Sequence, residues 1–207
     1  MGMLTIDQIM RTAPVIPVVV IDDLAHAVPL AEALVAGGLP VIEVTLRTPV
    51  ALEAIRAMKS VPGALVGAGT VLDAAQLALA LDAGSEFIVA PGLTEPLAKA
   101  AIAARAPFLP GVATASDIMR GLDLGLTHFK FFPAMAAGGP QALKALAAPF
   151  AHCRFCPTGG ITADTAGQWL AISSVLCVGG SWVAPPGAPD RGVIEKLARE
   201  AASLRQV

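Results

Sequence analysis

Hydrophobic and polar positions repeat along this chain as one unit, used eight times. Each unit is an apolar, β-branched run, a short loop containing Gly, Pro or Thr, and an alanine-rich amphipathic stretch, with a repeat of roughly 20 to 30 residues. The apolar runs predict strands at 14–21 (PVIPVVVI), 40–47 (PVIEVTLR), 64–70 (ALVGAGT), 86–91 (EFIVAP), 107–112 (PFLPGV), 128–133 (HFKFFP), 154–159 (RFCPTG) and 175–181 (VLCVGGS). The segments between them predict helices at 24–36, 49–59, 73–83, 94–105, 115–124, 139–147, 162–171 and 190–204. Asp73, Thr94, Ser116 and Thr162 stand near four helix starts, where a short oxygen-bearing side chain accepts from first-turn N–H groups.

Eight strands alternating with eight helices imply parallel βαβ units, and eight such units close into a (β/α)8 TIM barrel. At 207 residues the loops must be short, and residues 1–207 are read as one barrel domain. A doubly wound open sheet competes, but VVVIDDLAHAV has no glycine where a dinucleotide fingerprint would follow the first strand. A short N-terminal helix over residues 4–12 would plug the lower end of the barrel.

Composition then narrows the partners. A 55% hydrophobic chain of this length can bury one sizeable core, while a net charge of −2 without a basic run offers no footprint for nucleic acid. Any anionic ligand must be met by local groups. PVIPVVVI is far too short to span a bilayer, MGMLTIDQIM lacks the segments of a signal peptide, and Ile6 stands where a myristoylation signal needs Ser or Thr. No membrane partner is expected. Three cysteines, Cys153, Cys156 and Cys177, are an odd and sparse set that indicates a reducing, cytoplasmic setting. The CRFC spacing of Cys153 and Cys156 is that of a redox motif, yet it falls in a β-rich stretch without a second pair, so these thiols are read as core filler. His26, His128 and His152 lie on separate elements, so neither a metal nor another cofactor is expected.

One polar residue stands out against this pattern. Lys130 lies inside the aromatic run HFKFFPA, whereas Lys59, Lys99, Lys144 and Lys196 fall in helical stretches with a solvated face to occupy. Period-2 alternation puts His128, Lys130 and Phe132 on one face of the sixth strand, and Glu43, Thr45 and Arg47 on one face of the second. If the alternate residues Val44, Leu46, Phe129 and Phe131 pack under the helices, Glu43 and Lys130 share the barrel interior. They could form a structural ion pair. They could also be reactive: a free lysine is neutral in only about one molecule in a thousand at pH 7, and desolvation beside Phe132 with a cation such as Arg47 nearby would raise that fraction. A neutral amine attacks a ketone to form a Schiff base, whose iminium permits C–C cleavage without a metal, and Glu43 could carry the protons. Arg47 could hold a substrate carboxylate by a bidentate pair, and Thr70 could add a hydroxyl.

Two further loops, PTGGIT at 157–162 and VGGSW at 178–182, end strands seven and eight with paired glycines. A glycine pair serves a tight turn or an anion site, and these are the two loops where barrel enzymes commonly seat a phosphate. The Pro/Gly-rich segment SWVAPPGAPDRG, 181–192, reads either as a mobile edge of the pocket or as a rigid surface loop.

Six blocks in one order, EVTLRT (43–48), VGAGTV (66–71), PGLTEP (91–96), FKFFPA (129–134), RFCPTGGI (154–161) and VLCVGGSW (175–182), span nearly the whole chain. Together they closely resemble the 2-keto-3-deoxy-6-phosphogluconate (KDPG) aldolase and 4-hydroxy-2-oxoglutarate (KHG) aldolase family. The resemblance implies a class I aldolase, a lyase that cleaves KDPG to pyruvate and glyceraldehyde 3-phosphate in the Entner–Doudoroff pathway, as a homotrimer of (β/α)8 barrels. It implies Lys130 as the Schiff-base lysine and Glu43 as the proton-transferring group. It implies Arg47 and Thr70 at the pyruvyl carboxylate, and Pro91 and Phe132 as pocket walls. Thr158, Gly159, Gly160, Gly179, Gly180 and Ser181 would receive the phosphate and nearby hydroxyls. The same iminium would serve cleavage of 4-hydroxy-2-oxoglutarate to pyruvate and glyoxylate. Competing readings are a phosphate-binding barrel isomerase or synthase in which Lys130 is only a charge partner, a non-catalytic sugar-phosphate binder, and a metal-dependent aldolase.

Overall fold

The computed structural model describes residues 4–204. Among the described residues, nine strand segments, β1 (Val15–Val19), β2 (Val41–Thr45), β3 (Leu65–Gly69), β4 (Ile88–Val89), β5 (Phe108–Leu109), β6 (Gly111–Val112), β7 (His128–Phe131), β8 (Arg154–Pro157) and β9 (Val178–Gly180), form a parallel (β/α)8 barrel. The predicted fifth strand is two segments. Pro110 has no N–H to give to a ladder, so β5 pairs with β4, β6 pairs with β7, and the proline carbonyl accepts from Lys130 N–H at 2.8 Å. Bridges Phe155↔Val175 and Thr158↔Gly179 join β8 to β9, and β9 pairs with β1.

The surrounding helices are α1 (Ile6–Met10), α2 (Ala27–Ala36), α3 (Ala51–Met58), α4 (Ala74–Asp82), α5 (Glu95–Ala103), α6 (Ala115–Asp123), α7 (Gly139–Ala147), α8 (Ala163–Leu170) and α9 (Arg191–Ala202). Asp73 caps α4 by accepting from Gln76 N–H, and Thr162 precedes α8 with its N–H bonded to Thr165 Oγ1. Thr94 occupies the N-cap of α5 without a side-chain bond. Ser116 is not a cap. It lies one residue inside α6, because Thr114 and Asp117 satisfy that helix start reciprocally, with Asp117 N–H donating to Thr114 Oγ1 and Thr114 N–H to Asp117 Oδ2.

Alternation along the strands divides the core into two layers. Ile42, Val44, Val66, Ala68, Ile88, Phe129, Phe131 and Phe155 face the helices, where Phe131 meets Trp169 of α8 at a centroid distance of 6.2 Å. Ile16, Val41, Phe87, Val89, Leu109, Cys156 and Cys177 fill the barrel, with Ile9 and Met10 of α1 closing its base. His128 is tied to that plug: its Nε2 lies 3.0 Å from Asp7 Oδ1, and Asp7 also accepts from Arg11 Nε at 2.8 Å. Those bonds from Arg11 and His128 hold the Asp7 carboxyl below its ordinary range. Among the described residues, no helix is long and apolar enough to cross a membrane.

Candidate active site

Strands β2 and β7 each carry one charged residue into the barrel above the apolar base. Lys130 Nζ donates to Glu43 Oε1 at 3.0 Å, and their side chains are 7% and 4% exposed. Neither could sit there alone, since a buried charge without its partner costs about 3 to 5 kcal/mol. The ring of Phe132 lies beneath the ammonium at 5.4 Å, within cation–π range. Lys130 is in register with Gly111 of β6 on one side and Cys156 of β8 on the other. A Cβ at Gly111 would lie 2.1 Å from the Pro91 carbonyl oxygen, so only glycine lets the Pro91 segment approach here. Pro91 and Phe132 are both half-buried.

Arg47 departs from the expected strand. β2 ends at Thr45, and the chain turns sharply, with Arg47 N–H donating to the Thr45 carbonyl at 2.8 Å. Arg47 is therefore an exposed rim residue rather than the third member of the Glu43 face. Two hydroxyls tether this turn to β1 and the loop after it: Thr45 Oγ1 donates to Val19 O at 3.0 Å and Thr48 Oγ1 to Ile21 O at 2.6 Å. Nothing in the local pattern singles out Thr48, whose partner lies just past the end of the preceding strand.

Thr70 follows β3 at the same rim with φ of +58°. For a β-branched residue this left-handed conformation is a true outlier, costing about 1 to 3 kcal/mol, and such strain clusters at functional sites. The opposite rim carries the two glycine loops. Gly159 and Gly160 have φ of +108° and +76°, a backbone conformation that glycine adopts without a Cβ penalty. Thr158 is buried against Gly179, where a Cβ would stand 2.3 Å from its hydroxyl. The ring of Trp182 occupies the space a Gly180 side chain would need, Ser181 is exposed, and Val183 is buried, so the start of the 181–192 segment is anchored. The carbonyls of Thr158 and Gly159 accept from Ala134 and Met135 N–H at 2.8 and 3.1 Å, binding this loop to the one after Lys130.

The three cysteines are free and buried. Burial, with Cys156 and Glu43 adding to it, pushes the Cys177 thiol well above its ordinary range, which suits neutral filler beneath the charged pair.

Comparison with known proteins adds three findings. The KDPG and KHG aldolase family model matches residues 6–199. The KHG/KDPG aldolase of Escherichia coli is 56% identical over 199 residues, 94% of this chain and 93% of that protein. Two crystal structures superpose over nearly the whole chain. The 2-keto-3-deoxy-6-phosphogluconate aldolase of Zymomonas mobilis with 3-phosphoglycerate has 60% identity and a TM-score of 0.97, covering 99% of this chain and 98% of that one. The KDPG aldolase of Legionella pneumophila, with pyruvate captured as a covalent carbinolamine, has 44% identity and a TM-score of 0.93, covering 97% and 99%.

Proposed function

The chain belongs to the KDPG and KHG aldolase family, and from that membership we propose that it cleaves KDPG to pyruvate and glyceraldehyde 3-phosphate through an imine on Lys130. The observation that carries this reading is the 3.0 Å contact between Lys130 Nζ and Glu43 Oε1 inside an otherwise apolar barrel. An amine reacts as a nucleophile only after giving up a proton, and here the acceptor is already hydrogen-bonded to it.

The steps follow from that pair. The neutral amine adds to the C2 ketone of the substrate and the oxygen takes a proton, giving a carbinolamine. Glu43 carries the proton that lets the hydroxyl leave as water, forming the iminium. A base removes the C4 hydroxyl proton, the C3–C4 bond breaks, and its electron pair passes into an enamine as glyceraldehyde 3-phosphate departs. Protonation at C3 and attack by water then release pyruvate and the free amine. Arg47 and Thr70 hold the carboxylate, Pro91 and Phe132 wall the pocket, and Thr158, Gly159, Gly160, Gly179, Gly180 and Ser181 receive the phosphate end.

The same iminium serves 4-hydroxy-2-oxoglutarate, a second substrate favoured by the dual name of the Escherichia coli relative. We place the enzyme as a homotrimer in a reducing cytoplasm. The three free thiols support the compartment, and exposed Leu79, Ile102 and Met119 offer apolar surface for subunit contacts.

The test is borohydride reduction in the presence of pyruvate, followed by peptide mass spectrometry. A pyruvyl adduct on the Lys130 peptide is expected, together with retro-aldol turnover of KDPG. An unmodified protein, beside an active aldolase that labels in parallel, would overturn the reading and favour a non-covalent isomerase or a sugar-phosphate binder.

A further inference from the structure

We infer that Gly69 is the positioning residue for Glu43, an inference that rests on the proposed imine chemistry. Gly69 closes β3 and is in register with Thr45, two residues beyond Glu43 on β2. A Cβ built on Gly69 would lie 2.2 Å from Glu43 Oε1, 2.7 Å from its Cγ and 2.8 Å from its Cδ. Oε1 is the same oxygen that accepts from Lys130. The carboxylate therefore occupies the space that any other residue at position 69 would fill, and it is held between that slot and the lysine.

The consequence differs from that at Gly111, the register neighbour of Lys130. At Gly111 an added Cβ meets backbone, which cannot yield. At Gly69 it meets only side-chain atoms, Glu43 Oε1, Cγ and Cδ, which a rotamer change can move, so the backbone is spared while the carboxylate is displaced from Nζ. Gly69 has no side chain with which to reach a substrate. Its effect passes through Glu43, and its carbonyl, which accepts from Leu46 N–H, is unaltered by a methyl group.

Two readouts on pyruvate separate amine attack from proton transfer: borohydride trapping on Lys130, and exchange of the methyl protons with deuterium followed by NMR. In Gly69→Ala, trapping persists while exchange falls by about a hundredfold, the scale of a lost acid–base group. Exchange within about twofold of the parent would overturn the inference, because a displaced catalytic acid–base group costs far more. Thermal melts of Gly69→Ala are expected to show a folded protein close to the parent, since the clash is with side-chain atoms alone. A variant that unfolds would overturn the inference. Absence of both trapping and exchange in the parent would remove the imine reading and the role of Gly69 with it.

Discussion

The backbone N–H of Leu46 donates to the carbonyl of Gly69 at 2.8 Å, and this bond sets the residues that follow, Arg47 and Thr70, at neighbouring points on the barrel rim. Thr70 pays for its place with a φ of +58°. Replacing it by glycine removes the strain of a β-branched residue, of about 1 to 3 kcal/mol, but gives the unfolded chain more freedom, of about 0.5 to 1 kcal/mol. Thr70→Gly is therefore expected to be more stable by about 1 kcal/mol in a denaturant melt, with a raised KM for pyruvate-forming substrates. A variant less stable than the parent would show that the conformation is not strained.

Lys130→Met and Glu43→Gln should part company. The first removes the nucleophile and abolishes the borohydride adduct. The second keeps the amine, forms the adduct slowly, and loses about a hundredfold or more in kcat, because proton transfer lacks its carrier. Normal turnover by Lys130→Met would end the lysine proposal.

Ser181 is exposed beside the paired glycines that end β9. Ser181→Ala should raise KM for KDPG by about tenfold, the worth of one hydrogen bond to a charged group, while leaving 4-hydroxy-2-oxoglutarate nearly unaffected. Paired steady-state measurements on both substrates check this. Equal changes would detach Ser181 from the phosphate.

Asp117 connects pH to stability. Burial opposes its charge, but N–H bonds from Ala113 and Thr114, the Thr114 hydroxyl and nearby Arg120 outweigh it and hold the carboxyl below its ordinary value of 3.8. A depressed folded value contributes stability that is present above the unfolded value and is lost as pH falls from 3.8 through the folded one. Asp117→Asn should thus lower the melting temperature at neutral pH and flatten its decline below pH 3.8, read by thermal melts across an acid series.

The thiols give a test of core integrity. Cys177 is pushed well above its ordinary range by burial, and Cys153 is raised by burial against a smaller opposing effect of Arg154. Iodoacetamide at about pH 8 should leave the native protein unlabelled and modify three sites once guanidinium opens the barrel. Rapid labelling of native protein at Cys177 would mean that the barrel base opens readily.

Much of this site was legible because side-chain alternation is a local property of extended backbone. VIEVT and HFKF place Glu43 and Lys130 inward with no knowledge of their neighbours, and repeated βα units imply the barrel that gives them a common interior. The turn at Arg47, the interruption at Pro110 and the shift of a cap from Ser116 to Thr114 were harder to read, since each depends on hydrogen bonds that compete over one or two residues. Local pattern therefore determined which residues face inward and the order in which the strands follow. Tertiary structure alone decided that Lys130 meets Glu43 across 87 residues, that His128 meets Asp7 across 121, and that Glu43 fills the space left open by Gly69. Those meetings are set by the register at which the barrel closes, and closure is fixed by the packing of all the strands together rather than by any one of them.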